Sequence, residues 1–313
     1  MKIGIVGTGN VGSTAAYSLV LQGIGSELVL VDHSPALAEA HVMDILHATP
    51  FSHPVNVHGG TFADLAGCAL VIVAAGVNQQ PGETRLALLQ RNAEIFAGII
   101  PPIVRAARDA IILIATNPLD IMTQIATKLA VREGMPASRV LGTGTMLDTG
   151  RFRTLVGQRY NVAPSSVHAY VLGEHGDSEV LNWSGASVAG VPLEQFALAS
   201  GQPLIAEIMQ QVDQDVRRAA YKIIAGKGST YYGIGAAIAA LSRCILFDER
   251  SVFTASSVMA EVEGVTDVAL SLPHIIGRKG IEMTILPTLN TEEHAALKQS
   301  ATVIKTHLQS IQY

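Results

Sequence analysis

KIGIVGTGNVGSTAAYSLVLQG, residues 2–23, passes from an apolar run through three glycines into a segment where Val11, Ala15 and Leu19 recur every four residues. The first part reads as a buried strand and the last as an amphipathic helix. Gly7, Gly9 and Gly12 lie between them, where glycine permits a tight turn, lets the backbone approach a pyrophosphate, and lets helix and strand pack closely. The helix N-terminus adds a favourable field for negative charge. Glycine is common in this chain (29 residues), so the pattern alone is weak. A second feature strengthens it: Asp32 closes the next apolar run, ELVLVD, where a carboxylate meets the hydroxyls of an adenosine ribose. Ordinary glycine turns and an unrelated strand-end aspartate are the competing reading.

The acid also selects the cofactor. A carboxylate accepts hydrogen bonds from both ribose hydroxyls but repels a 2′-phosphate, so NAD is expected rather than NADP. The neighbouring His33 is a mild complication, since a histidine there can carry charge.

Working outward, further apolar runs follow at VNVHG (55–59), ALVIVAAG (69–76), AIILIATN (110–117) and RVLG (139–142), with helix-period segments between most of them. Alternating strands and helices imply an α/β fold, a doubly wound six-stranded parallel sheet of the Rossmann type. Pro101 and Pro102 predict a kink or break in the long helix after Arg85. Asn117 is expected to cap the following helix, with Pro118 as its first residue. Past Thr143 strands become neighbours, as in VALSLPHIIGRKGIEMTIL (268–286) with its Gly277–Gly280 turn, and a long helical segment spans Ala206 to Leu246. The last helix opens on Asn290 with Glu293 at its third position. The expected division is an NAD-binding domain over 1–142 and an α+β catalytic domain over 143–313.

Composition limits what such a protein does. The chain of 313 residues is 49% hydrophobic but only 5% aromatic, as suits a core of Ala, Val, Ile and Leu around a parallel sheet. A net charge of -5 with no basic block argues against nucleic acid. No apolar run is long enough to cross a bilayer and the start lacks a signal peptide, so a cytoplasmic location and no membrane partner are expected. Cys68 and Cys244 read as reduced core residues, and no Cys or His spacing suggests a metal.

Three segments gather reactive side chains: ATNPLD (115–120), TMLDTGRFR (145–153) and LGEHGDSEV (172–180). Asp148 and Arg151, three apart, share a helix face, as a surface ion pair also would. His175 stands in a glycine-flanked loop, where a lone histidine is more often decoration than catalyst. Arg85 follows the loop GVNQQPGETR (76–85) at the start of a helix, where a cation opposes the macrodipole and needs another reason to be present.

Taken in order, GTGNVG, LVD, AAGVNQQPGETR, ATNP, LDTGRFR and GEHGDS resemble the L-lactate and malate dehydrogenases over essentially the whole chain. The resemblance implies hydride transfer between NADH and a small 2-keto acid. It implies His175 as proton donor and acceptor, Asp148 as its carboxylate partner, Arg151 as the clamp on the substrate carboxylate, and Asn117 beside cofactor and reacting oxygen. Thr230 would border the side-chain pocket. Residues 76–84 would form a lid that closes and brings Arg85 to the carbonyl oxygen. Gly7, Gly9, Asn10, Val11, Gly12, Asp32, Ala75, Gly76 and Asn117 would line the cofactor.

Malate dehydrogenases carry an arginine where this chain has Gln79, and a neutral amide suits the methyl group of pyruvate better than a second carboxylate. Pyruvate and L-lactate are therefore the expected pair. Oxaloacetate and malate, or another 2-hydroxy acid, form the alternative, and a non-catalytic NAD-binding protein the remote one. The resemblance further implies a homo-oligomer, usually a tetramer. It also matches Arg153 and His168 to positions where some bacterial relatives bind fructose 1,6-bisphosphate across a two-fold axis. An arginine in an interface ion pair and a histidine in a strand are the plain alternative.

Overall fold

The computed structural model describes residues 1–77, 82 and 84–311. The opening stretch folds as β1 (Lys2–Val6), a turn, and α1 (Asn10–Leu21). There follow β2 (Glu27–Val31), α2 (Pro35–Ala48), β3 (Asn56–Gly59), β4 (Cys68–Val73), α3 (Arg85–Ala106), β5 (Ile111–Ile114), α4 (Leu119–Arg132) and β6 (Val140–Gly142). These six strands are parallel and lie in the order β6-β5-β4-β1-β2-β3. The order reverses between β1 and β4, which opens a crevice at their carboxyl ends. Because both faces are covered by helices, residues such as Ile3, Leu28, Leu70, Val71, Ile112 and Leu113 are buried on either side.

The remainder runs through α5 (Met146–Tyr160), the two-residue strands β7 (Val167–His168), β8 (Val171–Leu172), β9 (Val180–Leu181), β10 (Ser187–Val188) and β11 (Val191–Pro192), and α6 (Leu193–Ala199). It ends with α7 (Ala206–Lys227), α8 (Tyr232–Phe247), the long strands β12 (Ser251–Val262) and β13 (Val265–Gly277), β14 (Gly280–Thr284) and α9 (Thr291–Gln309). β12, β13 and β14 form an antiparallel meander that pairs to β6 through Ser256 and Gly142. The parallel sheet thereby continues into a nine-stranded mixed sheet among the described residues. An isolated bridge from Gly173 to Ser271 then fixes the segment carrying His175 against β13.

Three local expectations need correction. α3 runs unbroken through Pro101 and Pro102. Ala97 and Gly98, one turn earlier, are small, and Phe96, Ile100, Ile103 and Val104 hold one face of the helix in the core. α4 begins at Leu119 with Pro118 in the cap position. The Pro118 carbonyl accepts from the Met122 N–H, which leaves Asn117 outside the helix. The segment 206–246 is two helices, α7 ending at Lys227 with Gly228 as its cap and α8 beginning at Tyr232. By contrast, Asn290 and Glu293 form the expected capping box of α9. Cys68 and Cys244 are buried and free. Among the described residues no helix is long and apolar enough to cross a membrane.

Phe96 is completely buried between α3 and the sheet. Phe96→Ala should therefore destabilise the protein by about 3–5 kcal/mol, read as a lower denaturant midpoint at unchanged slope.

Candidate active site

The crevice at the carboxyl ends of β1, β2 and β4 meets the requirements of a dinucleotide. Gly7 has φ +91°, and a Cβ there would overlap the backbone nitrogen of Ala75. A Cβ on Gly12 would overlap the carbonyl oxygen of Gly7, so both positions exclude any side chain. α1 starts with Gly9 at its cap, without a side-chain cap bond and without an acid in its first turn. Its free N–H groups and dipole thus face a place where a pyrophosphate fits. Asn10 and Val11 open that helix, and the Asn10 amide donates to Ser229 Oγ at 3.1 Å, linking the glycine loop to the segment that carries Thr230.

Asp32 lies at the end of β2 with its side chain 5% exposed. It accepts from the Thr8 N–H at 2.7 Å, the Thr8 hydroxyl at 2.9 Å and the Ser34 N–H at 2.9 Å. Burial pushes its carboxyl up, but these donors outweigh that and hold it below the ordinary value, so the carboxylate is ionised and ready to accept ribose hydroxyls. His33 stands in solvent with Nδ1 2.8 Å from the same carboxylate. Thr8, which orients Asp32, has no signal in the sequence beyond its place between two glycines. Across the crevice, the Thr116 hydroxyl donates to the Ala75 carbonyl at 2.7 Å. The Asn92 side chain accepts from the Val77 N–H at 3.0 Å, holding the backbone on both sides of Gly76.

The second cluster centres on α5. Its helical spacing places Asp148 and Arg151 on one face, and an Arg151 guanidinium nitrogen lies 2.5 Å from Asp148 Oδ1. The other oxygen, Oδ2, lies 2.6 Å from Nδ1 of His175. Asp148 is 3% exposed, while the His175 side chain keeps 27% of its surface open. Burial disfavours charge on the imidazole, yet the Asp148 charge and hydrogen bond prevail and push its pKa up to about 9. For Asp148 burial likewise works upward, and the His175 imidazolium and Arg151 outweigh it and keep the carboxyl ionised. The histidine's contribution to stability is complete below its ordinary value of 6.5 and disappears as pH rises through about 9. That of the aspartate holds above its ordinary 3.8 and disappears as pH falls through its depressed value.

Two buried carboxyls that sequence reasoning passed over surround this pair. Asp120, in the first turn of α4, accepts from the backbone N–H of His175 at 2.7 Å and from the Ser256 hydroxyl at 2.6 Å. Burial pushes its carboxyl up to about 6 against those bonds. Glu179 is buried, and one of its oxygens has no hydrogen-bond partner among the described residues. Burial first, then the Asp148 charge, push its carboxyl well up. Both residues stand in the quoted segments, but nothing in spacing reveals that the loop folds back over α4. The Glu174 N–H donates to Ser300 Oγ of α9 at 2.7 Å, a further tie on the loop.

His175 and Asn117 line one cleft of about 570 Å³, walled by Leu86, Leu89, Ile121 and, from α9, His307. Thr230 borders a separate cleft of about 360 Å³ with Lys222, Tyr231 and Tyr232. Arg153 and His168 lie away from the cluster. The Arg153 Nε donates to the Ala169 carbonyl at 2.9 Å and its guanidinium stacks 5.0 Å over Tyr170, while His168 is exposed on β7. Gln79 and the side chain of Arg85 fall outside the described residues; the backbone of Arg85 begins α3, with Thr84 capping it by accepting from Ala87. Among the described residues no group of three or more His, Cys, Asp or Glu is placed to hold a metal.

Known proteins share this sequence and fold. The family model described as lactate/malate dehydrogenase, NAD binding domain, matches residues 1–142, and that of the alpha/beta C-terminal domain matches 145–312. The chain is 60% identical to an L-lactate dehydrogenase of Thermus aquaticus over 305 residues, 97% of each. With an L-lactate dehydrogenase of Geotalea daltonii it shares 49% identity over 99% of both chains. The crystal structure of the minor L-lactate dehydrogenase from Enterococcus mundtii, in its ligands-bound form, superposes with a TM-score of 0.94 at 38% identity, covering 99% of this chain and 98% of that one.

If Asp148 is what holds the proton on His175, Asp148→Asn should drop the imidazole pKa from about 9 to 6.5 or below. The ring resonances of His175 followed by NMR against pH measure this, and a titration that stays put would assign the effect elsewhere.

Proposed function

The chain belongs to the lactate/malate dehydrogenase family, and from that premise we propose that it interconverts pyruvate and L-lactate with NAD as its cofactor. The observation that carries the chemistry is the shared Asp148 carboxylate, with His175 on one oxygen and Arg151 on the other.

Gly7, Gly9, Gly12 and Asp32 would hold NADH, which when bound would supply the hydride for the keto carbon. The chain's own groups do the rest. With Nδ1 of His175 engaged by Asp148, Nε2 is left for the substrate, and at neutral pH it carries the proton that the new alkoxide oxygen needs. In the reverse direction the same nitrogen takes the hydroxyl proton. Arg151 keeps guanidinium donors beyond the one spent on Asp148, and a carboxylate bound to them orients the keto carbon. Asn117, freed from capping α4, reaches the same cleft as His175.

In this reading Arg85 stabilises the charge developing on the carbonyl oxygen, and the lid 76–84 excludes water as it closes. Gly7, Gly9, Asn10, Val11, Gly12, Ala75 and Gly76 serve the cofactor, and Thr230 borders the substrate side chain. Residues 1–142 act as the cofactor-binding domain and 143–313 as the catalytic domain. Gln79 favours pyruvate over oxaloacetate because a neutral amide cannot offset the desolvation of a second carboxylate. We further assign the enzyme to fermentative glycolysis in the cytoplasm as a homotetramer. Fructose 1,6-bisphosphate would bind at Arg153 and His168, where side chains from two subunits meet about a two-fold axis.

NADH consumption tests these assignments together. Pyruvate should be reduced with a higher kcat/KM than oxaloacetate, and Gln79→Arg should shift that ratio toward oxaloacetate by roughly tenfold or more, an unaltered ratio removing the specificity argument. His175→Asn should lower kcat by about 10²–10⁴-fold. Millimolar fructose 1,6-bisphosphate should lower KM for pyruvate in the parent enzyme and not in Arg153→Gln; no response in the parent would dismiss the effector.

A further inference from the structure

A wide cleft of about 830 Å³ lies on the edge opposite the cofactor crevice. It runs beneath the amino ends of the strands: Met1 precedes β1, Cys68 begins β4, Asp109 stands just before β5 and Arg139 just before β6. Five cations line it, namely Arg105, Arg108, Arg139, Arg278 and Lys279, against the single carboxylate of Asp109. In a chain of net charge -5 this is a concentrated positive field.

Of these cations only Arg105 has an acid as its partner among the described residues. Arg105 pairs with Glu133 at 3.1 Å and Arg139 donates to the backbone carbonyl of Asp109. Among the described residues the side chains of Arg108, Arg278 and Lys279 have no carboxylate partner. Arg105 lies in the last turn of α3 and Arg108 just past its cap, where a cation is favoured by the helix dipole. That reason does not extend to Arg278 and Lys279, which occupy the turn of the β13–β14 hairpin.

The hairpin is held in place rather than loosely attached. The Arg278 N–H donates to Asp248 at 2.7 Å, and Gly280 presses so closely on the Ser138 carbonyl that a Cβ would overlap it. Two elements far apart in sequence thus bring unpaired cations to one cleft. Its floor is apolar, formed by Ala69, Ala106, Ala107, Ile245 and Leu246.

We infer that this cleft is a second anion site, separate from the cofactor crevice, for a small molecule carrying several phosphoryl groups. Arginine forks suit phosphate oxygens, and cations drawn from three elements across so wide a cleft call for more than one anionic group. The ligand is either an inorganic polyphosphate or a nucleotide whose base rests on the apolar floor.

Equilibrium dialysis of the intact enzyme tests this, with NADH and oxamate at saturation so that the cofactor and substrate positions are filled. Inorganic tripolyphosphate and ATP are the two probes. At least one should bind, and Arg278→Ala/Lys279→Ala should weaken it by about tenfold or more, with Arg108→Gln doing the same from another element. Equal binding of both probes identifies a polyphosphate site, and tighter binding of ATP a nucleotide site. Arg153→Gln should leave the binding intact. The Arg278→Ala/Lys279→Ala variant should retain its thermal midpoint and its reduction of pyruvate, since neither residue belongs to the catalytic machinery. Failure of both probes to bind, or binding unchanged in the hairpin and Arg108 variants, overturns the proposal.

Discussion

One buried carboxylate sets the terms for the rest of the molecule. Asp148, almost wholly withdrawn from solvent, has one oxygen on the His175 imidazole and the other on the Arg151 guanidinium. Burying a charge is costly unless it is paired and hydrogen-bonded, and here two cations compensate one anion. The excess positive charge is what an anionic substrate meets. The same carboxylate decides which imidazole nitrogen is free and keeps it protonated at neutral pH. In the proposed reaction, proton donation and carboxylate binding both follow from a single side chain placed between two others.

The fold exists in large part to keep that side chain where it is. α5 supplies Asp148 and Arg151 in fixed register, and its start follows directly from the end of β6. The segment bearing His175 is an irregular loop and needs external anchors. The β13 bridge at Ser271, Ser300 of α9 and the Asp120 carboxylate of α4 provide them. The antiparallel meander that extends the parallel sheet is therefore more than added core: it carries Ser256, which supports Asp120, and Ser271, which fixes the approach to the loop. The crevice at the carboxyl ends of β1, β2 and β4 is organised in the same manner, with Thr8 bonded to Asp32 so that the glycine turn and the end of β2 are tied together.

What was legible in the sequence follows from the range of each interaction. The glycine turn, the alternating strands and helices, Asp32 at a strand end and the capping box at Asn290 are short-range features, and local spacing exposes them. The joint presence of His175, Asp148 and Arg151 came from the ordered family motifs, because twenty-four or more residues separate the histidine from the other two. Asp120 and Glu179 escaped notice because their importance depends on a loop folding over a helix, a tertiary event without a local pattern. The helix through Pro101 and Pro102 shows propensity overruled by a buried apolar face. The Asn117 cap failed because Pro118 took the cap position, which leaves Asn117 outside the helix and lining the same cleft as His175. The basic cleft was invisible for the same reason as the buried acids: its cations come from three places in the chain, none of them a basic run.

The central claim is that Asp148 keeps His175 cationic so that a keto acid is bound and protonated by one preformed group. Oxamate, an unreactive carboxylate of the size of pyruvate, reports this directly when its affinity for the NADH-loaded enzyme is followed against pH. The account predicts affinity that holds level through neutral pH and weakens about tenfold per pH unit once His175 loses its proton near 9. A break near 6.5, the value of an unassisted imidazole, or affinity indifferent to pH throughout, would contradict it.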